Sequence, residues 1–275
     1  MLNKKLKDYF RIAGKNGWAI GQFNFSNAEI LQAIIQAAQK LRSPLILGTS
    51  MGECEFFNPQ KAVILAEFFR QKTGLPVFLN LDHGKSLDYI KEVIAAGYQA
   101  VHFDGSDLPL KKNIETTKKV VAYAQKRNIL VEGEVGVIGG ELTNPQDALD
   151  FVRQTGVDSL AINIGTLHGI NKSGQNPPIN LKRLVEIKKK VGSIPLVLHG
   201  GSGTPLKDIR AAVKLGIVKV NFNTELRRAF TNSLKLSFEK NPTEMTPYKY
   251  LPQAILSVQK IVEEKIKLLN SVNKI

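Results

Sequence analysis

The stretch Pro195-Leu196-Val197-Leu198-His199-Gly200-Gly201-Ser202-Gly203 decides how the rest of the chain is read. An apolar run ends in a histidine, and a turn of small residues follows at once. Pro205 then opens a helical pattern. A short apolar run bounded by turn residues reads as a buried strand. Histidine is the commonest metal ligand, and glycine-rich turns ahead of a helix bind phosphate through backbone N–H groups. One strand end therefore delivers both chemistries to one point.

Outward from this strand, the same alternation repeats along the chain. Apolar runs at 19–25, 44–49, 75–81, 100–103, 129–135, 158–164, 195–198 and 217–222 read as strands. Between them, amphipathic patterns at 28–41, 59–71, 87–96, 110–126, 181–191, 207–215 and 223–236 read as helices. A further helix starts at Asn144-Pro145 and runs to about Gln154, and a Gly/Asn/Pro-rich loop covers 171–178. A last charged, amphipathic helix covers 251–269. Parallel strands buried on both faces read as apolar runs of this kind. The expectation is an α/β fold, a (β/α)8 TIM barrel with an extra C-terminal helix, in one domain over 1–275. A doubly wound sheet is the alternative. It gives no reason for polar residues at the C-terminal end of nearly every strand.

Composition narrows the function classes. The chain has 275 residues, 43% of them hydrophobic, enough for a sizeable core. Its one cysteine, Cys54, excludes an internal disulfide framework and fits a reducing cytosol. The segment from Met1 to Asp8 lacks the apolar run of a signal peptide. No stretch is long and apolar enough to span a bilayer. The expectation is a soluble, cytoplasmic protein with no membrane partner. The formal net charge is +14. Its lysines are scattered over helical patterns, without the interleaved aromatics that single-strand binding uses. The charge is read as solvated helix faces and attraction for phosphorylated substrates, with no nucleic-acid partner.

In a barrel, the C-terminal strand ends face one another across the catalytic mouth. His83, His168 and His199 fall at or just past the third, sixth and seventh strand ends. Three ligands with an open fourth position is the layout of a catalytic zinc site. His102, inside the fourth strand, is read as a core histidine. Asp82 directly precedes His83, where a carboxylate serves as general acid or base, or orients the ligand. Asp104, Glu132 and Glu134 add acids at neighbouring strand ends. Buried unpaired carboxylates are costly, so this cluster calls for cations, a metal before lysines inside the barrel. Gly200 to Gly203 after the seventh strand, and Asn221 to Thr224 after the eighth, stand where barrels bind phosphate.

These residues resemble the class II, metal-dependent, fructose-bisphosphate and tagatose-bisphosphate aldolase family. The resemblance is carried by Leu81-Asp-His-Gly84, Val131-Glu-Gly-Glu-Val-Gly136 with Gly139-Gly140, Ile164-Gly-Thr-Leu-His-Gly169, Leu198-His-Gly-Gly-Ser-Gly203 and Val220-Asn-Phe-Asn-Thr-Glu-Leu226. Gln22-Phe-Asn24 and Gly48-Thr-Ser50 fit the first two strand ends. The resemblance implies a zinc enzyme of carbohydrate metabolism that cleaves a ketose bisphosphate, most simply fructose 1,6-bisphosphate. The products are triose phosphates, dihydroxyacetone phosphate and glyceraldehyde 3-phosphate. It implies His83, His168 and His199 as zinc ligands, with Asp104 and Glu134 at an alternative metal position. Asp82 is implied as the proton donor to the aldehyde oxygen. Gly169, Gly200, Gly201, Ser202, Asn221, Asn223 and Thr224 are implied as the dihydroxyacetone phosphate site, with Asn24 and Ser50 as further contacts. A monovalent cation, Na+ or K+, and a homodimer or homotetramer are implied as well.

Three departures from the family pattern stand out. The loop after Gly139-Gly140 is short and keeps one acid, Glu141, for the role of base. Tyr248 stands where relatives carry an arginine for the distal phosphate, which leaves Arg227 as the candidate. Asn223 stands where fructose-type enzymes often carry aspartate and tagatose-type ones alanine; asparagine also occurs in the family, so this position does not settle the sugar. These departures motivate two alternatives: an aldolase for tagatose 1,6-bisphosphate or another phosphorylated ketose, and a metabolite-binding homologue without lyase activity.

Overall fold

The computed structural model describes residues 4–171 and 176–275. The start of the segment screened for a signal peptide and residues 172–175 of the expected 171–178 loop lie outside them. Eight parallel strands, β1 (Ile20–Asn24), β2 (Leu45–Ser50), β3 (Val77–Gly84), β4 (Ala100–Phe103), β5 (Leu130–Val135), β6 (Ser159–Ile162), β7 (Leu196–Leu198) and β8 (Ile217–Phe222), close in order into a barrel. β8 returns to pair with β1, Gln22 against Asn221. The expected TIM barrel is the observed fold.

Among the described residues, nine helices fall where the periodicity places them: α2 (Ala28–Leu41), α4 (Pro59–Thr73), α5 (Leu87–Ala96), α6 (Leu110–Gln125), α7 (Pro145–Thr155), α8 (Leu181–Val191), α9 (Leu206–Lys214), α10 (Thr224–Lys240) and α11 (Pro247–Leu268). Two helices, α1 (Leu6–Asn16) and α3 (Met51–Phe57), were not expected. α1 buries Leu6, Tyr9, Phe10 and Ala13, a stripe at helical spacing hidden among lysines. That stripe packs with Trp18, Ile20, Ile46 and Ala100 at the N-terminal end of the barrel. α3 starts in a capping box: Ser50 Oγ accepts from Glu53 N, and Glu53 Oε2 accepts from Ser50 N at 2.8 Å.

The main apolar core lies between the strands and the surrounding helices. Above the plug formed by α1, the barrel interior turns polar. Gln22, Asn24, Asn80, Asp82, His102, Glu132, Lys219 and Asn221 are all buried. Such groups are tolerated only when hydrogen-bonded, and here they form chains. Asn80 Nδ2 donates to Gln22 Oε1 at 2.9 Å, and Gln22 Nε2 donates to Asn24 Oδ1 at 3.1 Å. Gly48 makes room for this chain, since a Cβ there would collide with Asn24 Oδ1.

The end of β3 departs from a regular strand. Alternation would send Asp82 and His83 to opposite faces. Instead the β3–β4 register shifts between Leu81 and Gly84, and His83 has φ +55°. A bulge with a left-handed residue re-aims side chains locally. As a result, both Asp82 and His83 line the mouth of the barrel.

Candidate active site

A cavity of about 190 Å³ opens at the C-terminal strand ends, lined by Ser50, Asp82, His83, His199, Asn221 and Arg227 among others. Two larger grooves involve α1 and the N-terminal ends of the strands, away from these residues.

Asp82 is held from two sides. Asn24 Nδ2 donates to its Oδ2 at 2.9 Å, and Asn221 Nδ2 donates to its Oδ1 at 3.0 Å. Burial opposes ionisation, but His83, His199, Lys219 and His102 outweigh it and hold the carboxyl well below the usual range. Asp82 is therefore held as a carboxylate beside the histidines.

Two histidines meet beside it. His83 Nε2 and His199 Nδ1 face each other at 3.0 Å. The far nitrogen of each ring is taken by a carboxylate: His83 Nδ1 lies 2.7 Å from Asp104 Oδ2, and His199 Nε2 lies 2.7 Å from Glu132 Oε1. A carboxylate on the far nitrogen fixes the tautomer and aims the near lone pair, as behind metal-bound histidines. Neutral rings in these tautomers would point two lone pairs at each other, an arrangement that a shared cation relieves. Burial lowers the His83 pKa, but Asp82, Asp104 and Glu134 overcome this and raise it to about 9. His199 is pulled down by burial, against its bond to Glu132.

The donor set fits a divalent metal. Asp82, His83, His102 and His199 each offer a ligand atom, all within 4.8 Å of one another; His83, Asp104 and Glu134 form a second such group. His102 Nε2 and Glu134 Oε2 are buried without a hydrogen bond, 3.2 Å apart. Nitrogen and carboxylate donors of this kind suit zinc and similar ions.

Other expected residues fall into place unevenly. Ser202, Gly200, Gly169, Asn223 and Thr224 line the cavity with Arg227, which projects from the first turn of α10. Gly201 donates its N–H to Asn221 O at 3.0 Å. Gly200 has φ +70°, and a Cβ there would collide with Leu167 O. Asn176 ties the two glycine loops together: its Nδ2 donates to Gly169 O at 2.8 Å and to Ser202 O at 3.1 Å.

His168 stands exposed at the rim. Its ring centroid is 5.0 Å from that of His83, but its nitrogens do not join either converging group. Partial burial of the ring, then His83 and His199, lower its pKa. His102 is fully buried, as a core histidine would be. However, its neighbours are the rings of His83 and His199 and the Glu134 carboxylate, and its Nδ1 accepts from His83 N at 3.1 Å. Glu141 is exposed and does not line the cavity.

For Glu132, the expectation that metal answers the acid cluster is corrected. Its Oε2 takes Lys219 Nζ at 2.6 Å inside the barrel, with Lys219 only 1% exposed. Lys219 lies within a strand, where alternation puts it on the face shared with Asn221. That signal was present in the sequence.

Two further residues were missed. Glu53 accepts from Asn24 Nδ2 at 3.0 Å and from Asn223 Nδ2 at 2.9 Å. Asn163 Nδ2 donates to the carbonyls of Val137, Gly140 and Glu141 at 2.8–3.0 Å, pinning the short loop after β5.

The family described as fructose-bisphosphate aldolase class-II matches residues 4–274. The YdjI aldolase from Escherichia coli K12 has 31% identity and a TM-score of 0.87, covering 98% of each chain. The fructose-bisphosphate aldolase from Campylobacter jejuni has 22% identity and a TM-score of 0.86, covering 98% of this chain and 95% of its own. At that identity, the second likeness speaks for the fold.

Proposed function

Because the chain belongs to the class II fructose-bisphosphate aldolase family and is a lyase, we propose that it cleaves fructose 1,6-bisphosphate reversibly to dihydroxyacetone phosphate and glyceraldehyde 3-phosphate. The observation that carries this reading is Asp82, an ionised carboxylate clamped by Asn24 and Asn221 beside the paired nitrogens of His83 and His199.

His83 and His199 would hold the metal, with His168 closing the set from the rim; Asp104 and Glu134 offer a second position. Zinc bound there supplies Lewis-acid polarisation of the substrate carbonyl. Asp82 accepts the C4 hydroxyl proton as the C3–C4 bond breaks and the aldehyde forms. In the reverse direction it donates that proton to the aldehyde oxygen. A second group returns a proton to C3 of the three-carbon product, and Glu141 is assigned that role. Gly169, Gly200 to Ser202 and Asn221 to Thr224 hold dihydroxyacetone phosphate, with the start of α10 toward its phosphate. Na+ or K+ beside these loops belongs to the same reading. Ser50 contacts the rest of the sugar, and Arg227 takes the distal phosphate. The working form is a cytoplasmic homodimer or homotetramer.

The alternative substrate, tagatose 1,6-bisphosphate or another phosphorylated ketose, is favoured by Tyr248, 77% exposed where an arginine is expected. Membership of a lyase family disfavours the inactive homologue. The test is cleavage of a ketose phosphate panel by zinc-loaded protein. The expected result is highest kcat/KM for fructose 1,6-bisphosphate, loss on chelation, and an Asp82→Ala variant about 10²- to 10⁴-fold slower. Better cleavage of another ketose replaces the substrate, and no cleavage of any removes the reading.

A further inference from the structure

Asn223 is paired with Glu53, a residue that the reaction outlined above does not use. Glu53 is buried on α3, 8% exposed, and both of its oxygens are engaged. Oε2 accepts from Ser50 N at 2.8 Å and Asn24 Nδ2 at 3.0 Å, while Oε1 accepts from Asn223 Nδ2 at 2.9 Å. The capping box needs only Oε2, so the Oε1 contact is additional to holding the helix start. A carboxylate is an acceptor alone, whereas an amide end is a donor on one side and an acceptor on the other. Glu53 thus selects the amide orientation of Asn223. Turning the amide over would set Oδ1 against the carboxylate.

The consequence appears at the cavity. Asn223 lines it, and Asn223 Oδ1 is buried with no hydrogen-bond partner. Asn221 repeats the device two residues earlier: Asp82 takes its Nδ2, and its Oδ1 is likewise buried and unpartnered. A buried acceptor left unsatisfied is costly, so each of these oxygens calls for a donor that the folded chain does not provide. A substrate hydroxyl is such a donor.

We propose that Glu53 is a positioning residue which locks Asn223 with its oxygen toward substrate, so that Asn223 accepts from a hydroxyl of the bound ketose phosphate as an aspartate would. The proposal rests on the aldolase reading and deepens it, because it makes the site select a hydroxyl-bearing carbon chain. It also explains how asparagine can serve where other members carry aspartate: the missing charge sits one residue contact back, on Glu53.

The experiment is a reciprocal exchange with four proteins: wild type, Glu53→Gln, Asn223→Asp, and the double variant. The Glu53→Gln change keeps the cap but presents an N–H to Asn223, which turns the Asn223 amide over and offers a donor to the cavity. The Asn223→Asp change sets two carboxylates against each other. In the double variant, the new amide at position 53 donates to the new carboxylate at position 223, whose second oxygen again faces substrate. Each single variant is expected to lose about 10- to 100-fold in kcat/KM for fructose 1,6-bisphosphate and in affinity for dihydroxyacetone phosphate. The double variant is expected to recover to within about threefold of wild type, with thermal midpoints of all four close together. A purely structural Glu53 would instead give losses that follow the midpoints and no recovery. A Glu53→Gln protein within about twofold of wild type on both measures, or a double variant no better than the poorer single, overturns the proposal. If wild type cleaves no ketose phosphate yet binds dihydroxyacetone phosphate, the aldolase reading fails, and the affinity series still decides Glu53. Wild type that neither cleaves nor binds overturns both.

Discussion

Lys219 shows how a single side chain reshapes the site from beneath. It is buried in β8 and neutralises Glu132, which in turn holds His199 Nε2. Burial opposes the Glu132 charge, but Lys219 and then His199 outweigh it and keep the carboxyl below its usual range. Removing one partner of a buried pair costs about 3–5 kcal/mol, because the other charge is stranded. Lys219→Met should therefore lower unfolding free energy by about that amount. Adding Glu132→Gln should return most of it, because no stranded charge remains; chemical denaturation measures both. A Lys219→Met protein as stable as wild type would show that the pair carries no such cost. At this scale the sequence was legible where a residue's position declared its role. His83, His199, Asp82 and Asn221 line the barrel mouth, where their strand ends put them. Lys219 was readable from strand alternation as well; Glu53 was not, because it acts through Asn24 and Asn223, residues distant in sequence.

Elements aim these residues. The β3 bulge brings neighbouring Asp82 and His83 to one mouth, which alternation alone forbids. Ser50-x-x-Glu53 carries the sequence signature of a capping box, so α3 was readable before an apolar run that is unusually short. The loop after β5 is the short one in which the sequence leaves a single acid, Glu141. Asn163 binds three of its carbonyls, and Thr143 Oγ1 donates to Val135 O at 2.5 Å. Pinned in this way, the loop must release these bonds before Glu141 can reach the cavity. Asn163→Ala should release it: amide hydrogen exchange over 137–143 should speed up, while β1–β4 stay protected. Unchanged exchange there would mean that Asn163 does not hold the loop. The loop's length was plain in the sequence, but its tether was not, since Asn163 sits beyond the next strand.

At the scale of the whole molecule, the closed barrel gathers eight strand ends at one opening, and α1 seals the other. The barrel was legible because its repeats are local patterns. α1 was not, because its buried stripe is set among lysines. Among the described residues, no helix is long and apolar enough to cross a membrane. The chain carries a net charge of +14, and its cavity is read as binding doubly phosphorylated sugars. Such a field attracts anions and is screened by salt. Raising ionic strength from about 0.05 to about 0.5 M should increase KM severalfold with little change in kcat, as steady-state kinetics would show. An unaltered KM would place the charge outside substrate capture.

The central claim is that this opening houses a working proton-transfer site around a metal held by His83 and His199. Its most direct measurement is deuterium uptake into dihydroxyacetone phosphate in heavy water by zinc-loaded protein, followed by proton NMR. The account predicts stereospecific incorporation of one deuteron at C3, abolished by chelation. No incorporation by fully loaded protein would contradict it.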